Sequence, residues 1–398
     1  MARLRLEVAD IVRAHRADLE ESRGGALTQS ESRVLRGIVG CRTEALGGHV
    51  ERCDRCGHQR IAYNSCRNRH CPKCLVGARE QWLREREEEL LPVEYFHVVF
   101  TVPHEIAAIG IQNKRVVYEI LFRAAADSLR TIASDPRHLG AELGVLAILH
   151  SWGQSLEHHP HVHCVVTGGG ISADQQRWIP CRPGFFLPVR VLSRLFRGKF
   201  LALLKKSHER GKLVFHGAIE ELQDQPRFRA YLAPVREKEW VVYAKPPFGG
   251  PSRVLKYLGR YTHRVAISNH RLVGMEDGHV SFLWKDYAHG CRKRVMTLTA
   301  VEFLRRFLLH ILPKGFVRIR HYGFLANRHR KQKLALCRRL LATQQTEAAT
   351  EPSMAAAKDH HERSRCPSCG EGTMLCVLRF EAGETPHIVA NAGFLDSS

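Results

Sequence analysis

A chain of 398 residues, 44% of them hydrophobic, is long enough to bury two or three cores and has the composition of an ordinary soluble protein. A net charge of +21 implies a polyanionic partner, nucleic acid first, and no basic amphipathic helix or lipidation signal points to a membrane instead. The first residues mix charges with leucines and lack the apolar core of a signal peptide, and no run approaches the ~20 apolar residues of a membrane span. A cytoplasmic, nucleoid-associated location is therefore expected.

Residues 1–40 carry Leu4, Leu6, Val8, Ile11 and Val12, then Val34, Leu35 and Ile38 after Gly24-Gly25, a spacing that predicts two helical segments. A Cys/His-rich module follows at 41–90. Six of the thirteen cysteines lie between Cys41 and Cys74, in pairs interleaved with histidines, which suits metal ligation better than disulfides. Cys53-x-x-Cys56 and Cys71-x-x-Cys74 have the paired-knuckle spacing of a structural zinc ribbon. Four thiolates close a tetrahedral Zn²⁺ site without redox chemistry and replace the core that so small a module cannot build. Cys41, His49, Cys66 and His70 form a further set of four, with His58 as a substitute. They hold a second zinc ion or are simply packed and hydrogen-bonded. Arg52, Arg55, Arg60, Arg67, Arg69 and Lys73 surround the module, so it is expected to bind DNA rather than to catalyse.

Trp82 to Leu91 reads as a charged helix ending at Pro92, and Tyr95 to Val102 as a buried strand that opens a unit spanning 91–295. Val116–Ile132 is helical, Leu143–His150 a strand, and Val162–Thr167 a strand ended by Gly168-Gly-Gly170. Val189–Lys206 is a basic helix, Val241–Ala244 a strand and Pro251–Tyr261 a helix. Val265–Ile267 and Val280–Trp284 are expected to continue the same sheet. Helices among short strands suggest an α+β fold with helices packed on an antiparallel sheet. The stretch Lys314–Arg339 holds nine Lys or Arg and no acid, with Phe316, Tyr322 and Phe324 interleaved, within a basic, mainly helical region at 296–343. Such a run tracks phosphates when it is not merely a solvated face. Residues 344–365 lack apolar periodicity and read as a linker. The tail, 366–398, contains Cys366-x-x-Cys369, half a zinc knuckle that Cys376 and His360 or His361 would complete with irregular spacing.

The run His158-His-Pro-His161-Val-His163 carries the chemistry. Strand alternation projects His161 and His163 from one face, where they can share a metal ion. Tyr257 and Tyr261, four apart on a helix, present two hydroxyls side by side. A hard divalent ion needs a further ligand, and the candidates are Gln154, Glu157 and His263. Each half alone has a plainer explanation: a hydrogen-bonded structural histidine pair, and two packed aromatic rings. Their conjunction in a basic, cysteine-knuckle chain favours DNA cleavage through tyrosine.

The order Cys41…Gly47-Gly-His49…Cys53-x-x-Cys56-Gly57, Asn64-Ser-Cys66-Arg-Asn-Arg-His70-Cys71-Pro-x-Cys74, His159-Pro-His-Val-His163 and Tyr257-Leu-Gly-Arg-Tyr261 resembles the transposases of the insertion-sequence-91 family, from about Cys41 to about Arg330. That family belongs to the HUH endonucleases, named for histidine, hydrophobic residue, histidine. The resemblance implies a central HUH endonuclease domain and rolling-circle transposition. Tyr257 and Tyr261 become the nucleophiles, forming a 5′-phosphotyrosine at single-stranded transposon ends and target, and His161 and His163 the Mg²⁺ or Mn²⁺ ligands. Arg67, Arg69, Arg260, Arg264, Arg318, Arg320, Arg328, Arg330 and Lys331 are the expected DNA contacts. A plasmid relaxase or replication initiator shares the same chemistry. A non-catalytic zinc-containing regulator accounts for charge and cysteines but leaves the histidines and tyrosines idle. A metallohydrolase leaves the charge unexplained.

Overall fold

The computed structural model describes residues 6–184, 186–245, 266–286, 290–346 and 365–384, with the single positions 253, 259 and 386. Helices α1 (Val8–Ser22) and α2 (Gln29–Gly40) precede strands β1 (Gly48–Cys53) and β2 (Gln59–Tyr63), and α3 (Leu75–Glu87) leads into β3 (Tyr95–Thr101). Then come α4 (His104–Gln112), α5 (Lys114–Ser134), β4 (Ala141–Trp152), β5 (His158–Ser172), β6 (Trp178–Pro180), α6 (Val189–Glu209), α7 (Gln225–Glu237) and β7 (Val242–Lys245). The remaining described elements are β8 (Leu272–Glu276), β9 (His279–Asp286), β10 (Arg292–Thr299), α8 (Ala300–Leu309), β11 (Ile319–Gly323), α9 (Arg330–Thr346) and β12 (Met374–Phe380). The fold is mixed α+β with antiparallel sheets. It divides into two compact units, Met1–Val76 with Thr350–Ser398, and Gly77–Ala349.

In the first unit, α2 starts at a capping box: the Thr28 hydroxyl accepts the Glu31 amide at 3.3 Å, and the Glu31 carboxylate accepts the Thr28 amide at 2.9 Å. Val8, Ile11, Val12 and Leu19 of α1 and Val34, Leu35 and Ile38 of α2 are buried, as their helical spacing predicts. The sheet runs in the order β12-β1-β2, so the strand flanking β1 on one side comes from the tail of the chain. Sequence reading sets residues 41–90 and 366–398 apart as separate units, whereas here they share one sheet.

The second unit is built on a sheet of order β11-β4-β5-β3-β7, with β6 beside β5 and every pair antiparallel. Alternation gives it two different faces. Phe96, Val98, Phe100, Val145, Ala147, Leu149, Val162, Cys164 and Val166 form one core cluster with α5 and α6 residues such as Leu121, Phe122, Phe196 and Phe200. Cutting a buried Phe there to Ala costs about 3–5 kcal/mol. On the other face Tyr95, Leu146, Ile148 and Val165 are covered by Trp82 and Leu83 of α3 and by Leu90 and Val93.

Three sequence expectations change. The triple glycine does not end the histidine strand: β5 runs through it to Ser172, and a Cβ at Gly170 would strike the Glu142 carbonyl of β4, so glycine serves close strand approach. Val280–Trp284 does not extend the main sheet. It lies in β9, the middle of a separate β10-β9-β8 meander closed at Asp277-Gly278, where φ values of 46° and 72° fit a two-residue hairpin turn. Of Val265–Ile267, Val265 lies outside the described residues, and Ala266 and Ile267 are not in a strand. Helix α9 continues to Thr346, past the expected start of a linker at 344.

Candidate functional site

Strand β5 lies between β4 and β3, and the register sets His161 opposite His150 and Thr101, and His163 opposite Ile148 and Val99. Side-chain alternation therefore brings His161 and His163 out on the face shared by His150 of β4 and His97 of β3. Nitrogens of His150, His161 and His163 all lie within 4.8 Å of one another. Ring centroids are 4.2 Å apart for His150 and His163, and 4.9 Å for His161 and His163.

His150 is thus a third imidazole that the sequence did not single out. Of the candidates it did offer, Glu157 is exposed and faces Arg306 across 3.8 Å, and Gln154 is not among the residues that converge here, its main-chain carbonyl accepting a hydrogen bond from Arg271 at 2.5 Å. His263, like Tyr257, Arg260, Tyr261 and Arg264, lies outside the described residues. The parity argument for Glu157 fails because the β4–β5 register shifts between His150 and Trp152, beside Pro160, so alternation is not carried back through the proline.

Burial holds these imidazoles uncharged. It lowers His161 to about 4, with the nearby rings of His159 and His97 acting the same way, and lowers His97 to about 4, helped by the Lys245 charge. His150 and His163 lie well below the ordinary histidine range for the same first reason. A neutral imidazole has the free lone pair a metal ion requires. For His161 the tautomer follows from its partner: Nδ1 lies 2.7 Å from the His159 carbonyl, which only accepts, so Nδ1 carries the proton and Nε2 offers the lone pair. His163 Nδ1 and His97 Nε2 are 2.8 Å apart, in rings tilted by only 3°, which orients His163 through its neighbour. Trp152 stacks on His150 at 4.7 Å. His158 belongs elsewhere: its Nδ1 donates to the Ala107 carbonyl at 3.1 Å and its Nε2 accepts from the Tyr118 hydroxyl at 2.8 Å.

The cysteines assemble into two clusters of four, Cys41/Cys66/Cys71/Cys74 and Cys53/Cys56/Cys366/Cys369. The set Cys53, Cys56, Cys71 and Cys74 expected from spacing is divided between them. Neither histidine of the further set joins a cluster: His49 Nε2 faces Glu51 at 3.3 Å, and buried His70 lies 3.1 Å from Asn68 Oδ1. The thiols of Cys71 and Cys74 hold Cys41 far below the ordinary thiol range, while burial pushes Cys66 up to about 12. Sulfurs crowded this way cannot all ionise unless a cation joins them. In the same unit Arg67 is exposed and lines a cavity of ≈ 400 Å³ with His49, Asn64 and Arg379; Arg69 is half-buried.

The basic residues near the C-terminal side of the second unit differ in availability. The Arg320 guanidinium lies 4.5 Å and 5.1 Å from the ring centres of Phe122 and Phe316, and Arg330 pairs with Glu89 at 3.2 Å. The Arg318 charge is felt at His150. Arg328 and Lys331 are exposed.

Comparison with known proteins defines the class. Residues 11–102 match the family described as "Transposase zinc-binding domain", and residues 144–333 the family described as "Putative transposase". A "Putative transposase y4qJ" of Sinorhizobium fredii (strain NBRC 101917 / NGR234) is 56% identical over 392 residues, covering 97% of this chain and 98% of that one. The "Transposase for insertion sequence element IS801" of Pseudomonas savastanoi pv. phaseolicola is 28% identical over 310 residues, covering 76% and 72% respectively. No solved structure matches. The chain belongs to the insertion-sequence-91 family of transposases, enzymes that cut and join DNA, and it carries that family's zinc-binding domain. No helix among the described residues is long and apolar enough to cross a membrane.

Proposed function

We propose that this transposase nicks and rejoins single-stranded DNA at transposon ends by rolling-circle chemistry, with Tyr257 and Tyr261 as nucleophiles beside a divalent ion held by His150, His161 and His163. The observation that carries the proposal is the convergence of three uncharged imidazoles on one face of the sheet. Gly259, midway between the tyrosines, supports their side of it. Gly259 is buried, so close to Leu83 that a Cβ would lie 2.7 Å from Leu83 Cδ2, and Leu83 packs on Tyr95, Leu146, Ile148 and Val165 of the histidine face.

A tyrosine oxygen attacks the scissile phosphorus and gives up its proton, the bond from phosphorus to the 3′-oxygen breaks, and that oxygen takes a proton. The products are a 5′-phosphotyrosine and a free 3′-hydroxyl, and attack by a 3′-hydroxyl reverses the step without ATP. When bound, Mg²⁺ or Mn²⁺ would offset charge on the scissile phosphate. An all-imidazole donor set suits Mn²⁺ better than the oxygen-seeking Mg²⁺. His97 orients His163, and the His159 carbonyl orients His161. In the zinc-binding domain, Cys41, Cys66, Cys71 and Cys74 hold a structural Zn²⁺. Arg67, Arg69, Arg260, Arg264, Arg318, Arg328 and Lys331 track the DNA backbone, whereas Arg320 and Arg330 are engaged within the fold.

Incubation with a labelled single-stranded oligonucleotide bearing a transposon end, followed by denaturing SDS gel electrophoresis, tests the reading. A metal-dependent covalent adduct is expected, abolished by replacing both tyrosines with Phe. Cleavage that persists in the double Tyr→Phe protein would sink the reading.

A further inference from the structure

The zinc-binding family match ends at residue 102, yet half of the second cysteine cluster comes from residues 366–369. We propose that Cys53, Cys56, Cys366 and Cys369 form a second structural Zn²⁺ site, which clamps the C-terminal strand onto the N-terminal module.

Sulfur spacing carries the first part of the argument. Cys53 Sγ lies 3.8 Å from Cys369 Sγ, and Cys56 Sγ 3.6 Å from Cys366 Sγ. A tetrahedral ion with Zn–S bonds of about 2.3 Å sets its sulfurs about 3.8 Å apart. Disulfides require about 2.05 Å. The same spacing, 3.7 Å, separates Cys66 and Cys74 in the other cluster.

Backbone design carries the second part. The two halves repeat one turn: Cys53-x-x-Cys56-Gly57 and Cys366-x-x-Cys369-Gly370. In each turn the glycine amide donates to the carbonyl of the first cysteine, at 3.2 Å and 2.9 Å, and the glycine φ is 71° and 73°, the left-handed region where L side chains are strained. Amides of Arg55 and Cys56 point at Cys53 Sγ, both at 3.4 Å, the Ser368 amide at Cys366 Sγ at 3.4 Å and the Gly372 amide at Cys369 Sγ at 3.3 Å. Amides aimed at sulfur favour thiolate, the form a metal ion binds. The halves are then tied edge to edge. Asp54 exchanges bonds with Thr373, its amide to the carbonyl at 3.1 Å and its Oδ1 from the amide at 2.8 Å, and β1 pairs with β12 in a register that sets Cys53 opposite Met374.

Cys56 and Cys366 lie 310 positions apart in sequence. Among the described residues the buried cluster at the knuckles is only Cys53, Cys366 and Met374, so the ion supplies the stability that this small sheet lacks.

Metal analysis of the full-length protein after exhaustive dialysis tests the proposal. Two zinc ions per chain are expected for the unmodified protein, one for the C366S/C369S variant and one for the C66S/C74S variant. One zinc ion in the unmodified protein, retained by C366S/C369S, would overturn it, as would iron in place of the second zinc or an intact mass showing disulfides among these cysteines. Hydrogen exchange of the unmodified protein guards against misfolded variants: chelation is expected to expose amides of 365–380 and of β1 while β3–β5 stay protected. Unchanged protection of 365–380 in fully zinc-depleted protein also overturns it.

Discussion

Replacing His150 with Phe separates the two things its ring does, filling space and offering nitrogens. His150 is 2% exposed and stacks on Trp152 at 4.7 Å, and Phe preserves both the volume and the stack. Burial keeps the folded imidazole neutral, well below the ordinary range, whereas in the unfolded chain it titrates near 6.5. The unfolded chain therefore gains a proton below that pH and the folded protein does not, so stability is complete at pH 8 and falls as the solution is acidified. At pH 5 the difference is at most RT ln(1 + 10^1.5), or about 2 kcal/mol for one such group, which corresponds to at most about 4–8 °C of Tm for a unit of this size. With chelator present, the H150F protein is expected to lose up to about 2 kcal/mol less than the unmodified protein between pH 8 and pH 5, measured by urea denaturation. Comparing each protein with itself across pH cancels whatever the new ring does to packing. The same variant at pH 8 is expected to need at least about tenfold more Mn²⁺ for oligonucleotide cleavage, since one of three ligands is gone. Identical acid sensitivity in the two proteins refutes the neutral, buried imidazole, and an unshifted Mn²⁺ curve refutes its place at the ion.

Mn²⁺ is expected to support cleavage at concentrations at least about tenfold below Mg²⁺, because nitrogen donors suit it better; a metal titration showing the reverse order counts against the three-histidine set. Tyr257→Phe and Tyr261→Phe are each expected to leave some covalent adduct while abolishing complete transposition, and the double variant none; mass spectrometry locating DNA on one tyrosine, with full transposition by the variant of the other, rejects two nucleophiles. Reversing exposed Arg328 and Lys331 to Glu is expected to weaken oligonucleotide binding and flatten its salt dependence by about 0.7 for each phosphate no longer neutralised, read from binding isotherms at several salt concentrations. Arg320→Ala, by contrast, removes a guanidinium resting on Phe122 and Phe316 and is expected to cost about 0.5–2 kcal/mol of stability with the salt slope unchanged, checked by denaturation beside the same isotherms.

What the sequence disclosed was local. His161 and His163 are legible as a same-face pair because two residues is the period of a strand, and β5 places them so. His150 ends an alternating row, Leu146, Ile148, His150, on a strand whose existence was also legible, but only the β4–β5 register makes it the neighbour of His161. No local rule contains that register. Asp277-Gly278 does carry a local signal, a hairpin turn that pairs β8 with β9, but that signal does not say which sheet the hairpin joins.

The cysteines make the same point more sharply. Cys53-x-x-Cys56 announces half a site, and two other knuckles, 71–74 and 366–369, stood ready to complete it. Proximity in sequence favours the first, but Cys71 and Cys74 are already committed. The Arg42 amide donates to the Asn64 carbonyl at 3.0 Å, which draws the end of α2, and with it Cys41, alongside the loop that carries Cys66. The far knuckle is delivered instead by β12, which lies along β1. Spacing between ligands thus identifies the halves of a metal site, and backbone pairing chooses which halves meet. Where a module has too small a core for hydrophobic periodicity to specify its partners, that choice falls to strand pairing and, once formed, to the ion.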